Sequence, residues 1–297
     1  MTTPDPIHTS GTGTTLPLVG ANRSSIGSEP TGSAFTPLQA RPDHHPSIFT
    51  EAFLLTQRRA KELLREPQWI ASGLATPILY LVLFAPLLTN IPTALFGGLS
   101  VVQMFVPGML VLFAFGSGQG IGWTVIHELD TGVIERFRVT PVRRVSLLLG
   151  SVIRDGLFFI VCALVVCLVA LPFGFVIHPG GLALTLLLLA VLTGTVSATS
   201  AAIGLALKNI GALAASIMGM QLPLTLLAGA LLPISMGPTW LQVLAHFNPF
   251  YYAVEAARDL ASGHILTVSV GLGFLVVFAV FAITLTWASR VFQKAVA

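Results

Sequence analysis

The sequence predicts an all-α membrane protein with six transmembrane helices. Three observations carry this. The 297 residues are 54% hydrophobic and 9% charged, with mean hydropathy +0.86, whereas a soluble domain carries about 25% charged residues. Apolar runs recur six times at the length of about 20 residues that crosses about 30 Å of hydrocarbon. The Lys and Arg residues gather in alternate connections between those runs.

Residues 1–47 are a different material. Ser, Thr, Pro and Gly supply 26 of these 47 residues. Such a segment buries too little apolar surface to offset its ordering entropy, so it reads as a disordered cytoplasmic tail. Residues 48–297 form the membrane domain. At its start Phe49, Phe53, Leu63 and Leu64 make an apolar stripe beside Arg58, Arg59, Lys61 and Arg65. This pattern predicts an amphipathic helix in the membrane interface, ended by Pro67 and followed by Trp69 in the aromatic belt.

The spans are expected at 69–91, 100–126, 147–173, 182–207, 210–232 and 267–289. Pro77, Pro86, Pro107 and Pro223 fall inside them, which membrane bundles tolerate. Small residues mark close helix approach: Gly116 with Gly120, Gly118 with Gly122, and the series Gly211, Ala215, Gly219. Gln119, Gln221 and the segment TGTVSATS (193–200) place polar groups within the membrane. They line a substrate path or bridge helices; the sequence allows both. Cys162 and Cys167 are five apart on one run and point to different sides of a helix, which gives neither a disulfide nor a metal site.

Charge fixes the orientation. Six cations precede the first span (Arg23, Arg41, Arg58, Arg59, Lys61, Arg65) and five lie between the second and third spans or at the start of the third (Arg136, Arg138, Arg143, Arg144, Arg154). Lys208 lies between the fourth and fifth, and Arg290 and Lys294 end the chain. All of these fall on one side; Arg258 alone falls on the other. The positive-inside rule then puts both termini in the cytoplasm and segment 233–266 outside. The expected location is the cell membrane, crossed several times.

Several chemistries lack their residues. The central parts of the spans carry no ionisable side chains, Arg154 and Asp155 lying near the cytoplasmic start of the third, which disfavours ion-coupled transport. There is no G-x-S-x-G elbow, no H-E-x-x-H and no G-x-x-x-x-G-K-[ST] phosphate loop. The chain is therefore expected to bind no cofactor and to have no nucleic-acid partner. An integral membrane enzyme or scaffold, with distant residues converging, is the alternative from another class.

Two connections stand out. In 127–146 Gly132 precedes Val133, Ile134 and Phe137, which share a helical face, and Pro141 stops the helix. This short cytoplasmic helix either lies on lipid headgroups or docks into a partner. In 233–266 Pro233 and Pro238 break the path, and Trp240, Leu241 and Leu244 form a short apolar face. Asn248 is a suitable N-cap and Pro249 a suitable first helical residue. Glu255 and Arg258 then stand three apart and can pair.

The pattern E-x-x-x-G-x-x-E-x-x-x-x-T-P, here Glu128, Gly132, Glu135, Thr140 and Pro141, resembles the coupling-helix region of type-2 ABC transporter permeases. The pattern N-P-x-x-Y-x-x-E-x-x-R, here Asn248, Pro249, Tyr252, Glu255 and Arg258, resembles their external region. With the spans, the resemblance covers about residues 48–297, and its flavour is the daunorubicin-resistance-like exporter branch. It implies a pair of six-span subunits, the second being the same chain or a paralogue, in contact with membrane lipids. It also implies cytoplasmic ABC ATPase subunits that bind the ATP and magnesium. The coupling helix would use Gly132, Val133, Ile134, Glu135, Phe137 and Arg138, with Arg143 and Arg144 as membrane-side anchors. The external residues would form a re-entrant helical hairpin held by the Glu255–Arg258 pair. The implied activity is export of a hydrophobic small molecule or lipid; export of lipid-linked polysaccharide is the alternative within the family.

Overall fold

The computed structural model describes residues 67–88, 100–131, 144–231 and 233–296. The expected tail 1–47, the interfacial helix of 48–66 and the coupling residues 132–138 lie outside the described residues, as does Arg143. Among the described residues the regular structure is helical: α1 (Pro67–Leu88), α2 (Val101–Ser117), α3 (Gly120–Asp130), α4 (Arg144–Ala170), α5 (Pro179–Leu207), α6 (Ile210–Leu227), α7 (Thr239–Ala245), α8 (Pro249–Ala261) and α9 (Val268–Val296). Short 3-10 turns occupy Leu171–Phe173 and Ile234–Met236.

Among the described residues five stretches are long and apolar enough to cross a membrane: Val101–Asp130, Leu148–Phe173, Pro179–Leu207, Ile210–Leu227 and Val268–Phe292. They make the chain a multi-pass membrane protein. Within α1 the apolar stretch is shorter, Gly73–Phe84. The second expected span is not one helix, because α2 and α3 are separated at Gly118–Gln119.

Local chemistry sets the helix ends. Ser100 Oγ accepts from Gln103 N–H at 3.2 Å and Asn209 Oδ1 accepts from Ala212 N–H at 2.9 Å, each satisfying a donor that a helix start leaves unpaired. Past α4 the chain turns at Gly174, whose φ of +90° a side chain would oppose.

Helix α5 is apolar on every side and mostly buried, with Leu187 and Leu207 facing outward. It packs against α9, α4, α3, α8 and α2. The larger buried cluster includes Val106, Met109, Phe159, Leu188 and Leu260; a smaller one holds Ile121, Leu148, Ala201 and Leu205. At the end where α2, α5 and α9 begin, the buried Gln103 amide knits the connections together. Its Nε2 donates to Val176 O at 3.0 Å and to Ala261 O, and its Oε1 accepts from Val176 N–H at 2.9 Å.

Close helix approach rests on glycines, though not all those expected. A Cβ at Gly118 would lie 2.7 Å from Thr193 O, and one at Gly122 would lie 2.7 Å from Ser200 O, so this pair seats α2 and α3 on α5. By contrast, Gly116, Gly120 and Gly219 have nothing within 4 Å of such an atom, and Gly211 meets only Asn209 Oδ1 at 3.3 Å. The stripe Gly211, Ala215, Gly219 is thus exposed on α6 instead of packing within the subunit. Two unexpected glycines make the tightest seats: a Cβ at Gly108 would overlap the Ala230 carbonyl, and one at Gly181 the Leu260 carbonyl.

Asp155 also departs from expectation. It lies well along α4 and is 5% exposed, facing α5. Arg154 Nη2 and Nε donate to its Oδ1 at 2.7 and 3.0 Å, and Ser197 Oγ donates to its Oδ2 at 2.9 Å. The span therefore does hold an ionisable group, and it is tolerable there because its charge is paired and hydrogen-bonded.

Gly181→Ala places a methyl group against a backbone carbonyl that cannot move alone. Overpacking of this kind costs about 1–3 kcal/mol, so the purified chain should melt at a lower temperature in detergent. Gly219→Ala, on an open face, should leave the melting temperature unchanged or slightly raised, since Ala is the better helix former. Equal shifts for the two variants would contradict the packing described.

Candidate functional site: a membrane cavity and its helical hairpin

A cavity of about 580 Å³ is bounded by α1, α2, α4 and α6. Ligand cavities typically span about 300–1,000 Å³. Tyr80, Phe84, Phe113, Phe158 and Leu226 supply apolar wall, and Thr76, Ser117, Gln221 and Thr225 supply polar atoms. None of its lining residues is charged. The aromatic wall is braced from behind: Phe84 stacks on the buried Phe105 at 5.7 Å between centroids, and Phe113 on Phe159 at 5.6 Å. The site can thus take up an apolar or aromatic molecule with a few hydrogen-bonding groups, and it offers no counter-charge for an ionic one.

Helix α6 is the thin wall of this cavity. Its Gln221, Leu222, Thr225 and Leu226 line it, while Ile217, Met220 and Leu224 line a smaller cavity of about 120 Å³ that also touches α5, α8 and α9. Gln119 Nε2 donates to Gln221 Oε1 at 3.1 Å. The two glutamines singled out in the sequence therefore meet, and Gln221 is on the cavity wall as well.

Beyond α6 the chain forms a hairpin of α7 and α8. Asn248 acts at both of its ends: Oδ1 accepts from Phe250 N–H at 3.0 Å, capping α8, while Nδ2 donates to Leu224 O at 2.6 Å, near the end of α6. Pro249 occupies the first turn of α8, where its missing N–H costs nothing. Tyr252 OH donates to His246 O at 3.0 Å, closing the α7–α8 turn.

Arg258 is 5% exposed. Its Nη2 donates to Gly229 O at 2.7 Å and to Ala230 O at 3.5 Å, and its Nε to Met104 O at 3.4 Å. A cation at the carbonyl end of α6 also complements the helix dipole. The expected partner, Glu255, is 3.4 Å from Nη1 and its side chain is 38% exposed. The pair forms, but the guanidinium's one short bond, at 2.7 Å and buried, goes to the Gly229 carbonyl. Sequence reasoning missed this bond because a carbonyl acceptor has no residue signature. It also missed Gln103 and the seat at Gly108; for the latter the available signal was a lone glycine in an otherwise bulky apolar run.

Arg258→Met keeps volume and removes the donors. Leaving buried carbonyls unsatisfied costs about 1–3 kcal/mol each, so this variant should melt markedly earlier than the parent. Glu255→Gln should cost less than Arg258→Met, because the Glu255 carboxylate is 38% exposed and water screens its half of the pair. Exchanging the two residues should not restore the parent, because a carboxylate cannot donate to Gly229 O. Restoration by the exchange would return the weight to the ion pair.

Comparison with known proteins agrees with this architecture. Residues 50–261, which include the cavity wall and the hairpin, match the family described as ABC-2 type transporter. A putative transport permease, ycf38, of Cyanophora paradoxa is 29% identical over 215 residues, covering 71% of this chain and 74% of the relative. Its counterpart from Porphyra purpurea is 27% identical over 218 residues, covering 72% and 75%. The daunorubicin resistance ABC transporter permease protein DrrB1 of Streptomyces coeruleorubidus is 26% identical over 217 residues, covering 68% and 74%. With more than half its length matched and a helical membrane fold to go with it, the chain belongs to the ABC-2 type transporter family of membrane permeases.

Proposed function

We propose that the chain is the six-span membrane subunit of an ATP-driven exporter, moving hydrophobic, weakly polar small molecules or lipids out of the cell. The observation that carries the reading is the uncharged aromatic cavity of about 580 Å³ in a chain of this family. The relationship to a daunorubicin-resistance permease supports a planar, amphiphilic cargo. A lipid-linked polysaccharide would bring a large polar headgroup, for which the cavity wall supplies few partners.

In this reading α1 is the first of the six spans. Both termini are cytoplasmic, and the α7–α8 hairpin is the external re-entrant element, with Asn248, Pro249, Tyr252, Glu255 and Arg258 holding it. The chain itself binds no cofactor. ATP and magnesium sit on separate cytoplasmic ATPase subunits, reached through Gly132, Val133, Ile134, Glu135, Phe137 and Arg138. A second six-span subunit completes the pathway, and the exposed stripe Gly211, Ala215, Gly219 on α6 supports a membrane-embedded seam.

Sidedness is tested by labelling. With Cys162 and Cys167 replaced by Ala, Ser235→Cys and Thr131→Cys, both at exposed positions, should react with an impermeant maleimide from opposite sides. Labelling from one side only would reject the orientation.

Coupling is tested at Phe137. An apolar anchor at a protein interface is worth several kcal/mol when truncated, and a carboxylate there would be desolvated without a partner. Phe137→Asp should insert normally yet lose recovery of the ATPase subunit and daunorubicin efflux from cells, whereas Arg144→Ala should lose less. Parental complex recovery and efflux in Phe137→Asp would remove this segment as the contact.

A further inference from the structure

The second span is one apolar stretch, Val101–Asp130, built as two helices. At their joint the helical ladder is stretched: Gly118 N–H reaches Ala114 O at 3.3 Å and Gln119 N–H reaches Gly116 O at 3.4 Å, beyond the usual amide range. A neighbouring helix fills in. Ser200 Oγ on α5 donates to Gln119 O at 2.8 Å and accepts from Gly122 N–H at 3.2 Å. Interrupted backbone at membrane depth requires such partners. A hydroxyl suits a moving joint, because it rotates and both donates and accepts.

The two faces of the joint differ. Gly118 and Gly122 press directly on α5, which makes that face a fulcrum. Gly116 and Gly120 have open space beside them and border the larger cavity. Across that open face runs the bond from Gln119 to Gln221, and Gln221 lies on the cavity wall. The hydroxyls of Ser117 and Thr225 on the same wall donate to Ala114 O and Gln221 O of their own helices. Gln221 Oε1 is the side-chain carbonyl on this wall, so a donor group on a bound molecule that reaches it competes with Gln119 Nε2 for the same oxygen. Past the joint, α3 packs on α5 and α6 and runs to Asp130, where the chain enters 132–138.

We propose that the Gly118–Gly120 joint is a hinge in the second span and that the Gln119–Gln221 pair is its latch. An amphiphile in the cavity takes the place of Gln119 on Gln221, and the freed joint lets α3 swing on its seat against α5. Gln119 and Gln221 are positioning residues in this scheme: they pass cavity occupancy to the helix that leads to the ATPase contact. The inference rests on the transport reading above.

The test uses Gln119→Cys/Gln221→Cys in the chain with Cys162→Ala and Cys167→Ala, co-expressed with its ATPase subunit. Daunorubicin efflux is followed before and after treatment with a short bifunctional thiol reagent that reductant cleaves. Closing the link should slow efflux about tenfold, within the usual range of coupling between two sites, and reduction should restore it. A monofunctional reagent of similar size on each single-cysteine variant should leave efflux intact, which separates linking from filling. Because the link forms after folding, misassembly cannot imitate the result. Gln221→Leu provides an independent arm. ATP turnover of its complex should lose its dependence on daunorubicin, while a bridge of purely structural role predicts that the dependence survives. Efflux unchanged by the closed link, or drug dependence retained in Gln221→Leu, overturns the hinge and leaves transport standing. A parent that extrudes no daunorubicin overturns the amphiphile-export reading and the hinge with it.

Discussion

The structure depends on one constraint: in hydrocarbon, every interrupted backbone group must find a partner inside the protein. Helices meet it along their length, and the chain meets it elsewhere with side chains that stand in for backbone. Arg258 serves the carbonyls that follow α6, Asn248 serves Leu224 O while capping α8, and Gln103 pairs with both polar groups of Val176. Ser200 does the same at the middle of the second span. Each tie links segments far apart in sequence, so the repair of a local defect is also what holds the tertiary arrangement.

The ties are unevenly distributed, and that unevenness gives the molecule its working parts. The end where α2, α5 and α9 begin is knitted by Gln103 and Arg258, and Asn248 ties the start of α8 to α6 at Leu224. The middle of α6 is held far more loosely, with cavity on two sides and Gln221 bonded to Gln119 at the start of α3. A helix tied near its C-terminal end and bordered by cavity along its middle is suited to admit a molecule from the side without loosening the bundle. The aromatic wall opposite is rigid, because Phe84 and Phe113 rest on buried rings.

Much of the architecture was legible in the sequence, for physical reasons. Long apolar runs mark helices in lipid whatever their neighbours do, so four of the five observed spanning stretches begin within a few residues of expectation and the other, Pro179–Leu207, slightly before it. Asn248 before Pro249 fixed the start of α8, since cap chemistry is local. What could not be read was anything decided by a second helix. Gly116–Gly120 and Gly118–Gly122 are the same motif one register apart, yet one pair borders space and the other a backbone. Asp155 looked like a residue reaching for the membrane surface, but Ser197, forty-two positions on, draws it into the α4–α5 contact. Arg258 drew attention as half of a charge pair, whereas its principal acceptors are carbonyls that no residue type announces.

The repair at the second span has a consequence for how the chain is made. Ser200 lies 81 residues after the carbonyl that it serves, so α2 and α3 are synthesised well before their partner exists. A nascent second span entering the bilayer at that stage carries an exposed polar defect at its centre. The bonds that Ser200 supplies to this joint become available only once α5 has been made. The final packing of the early helices therefore depends on one synthesised later, with α5 as the element around which they close.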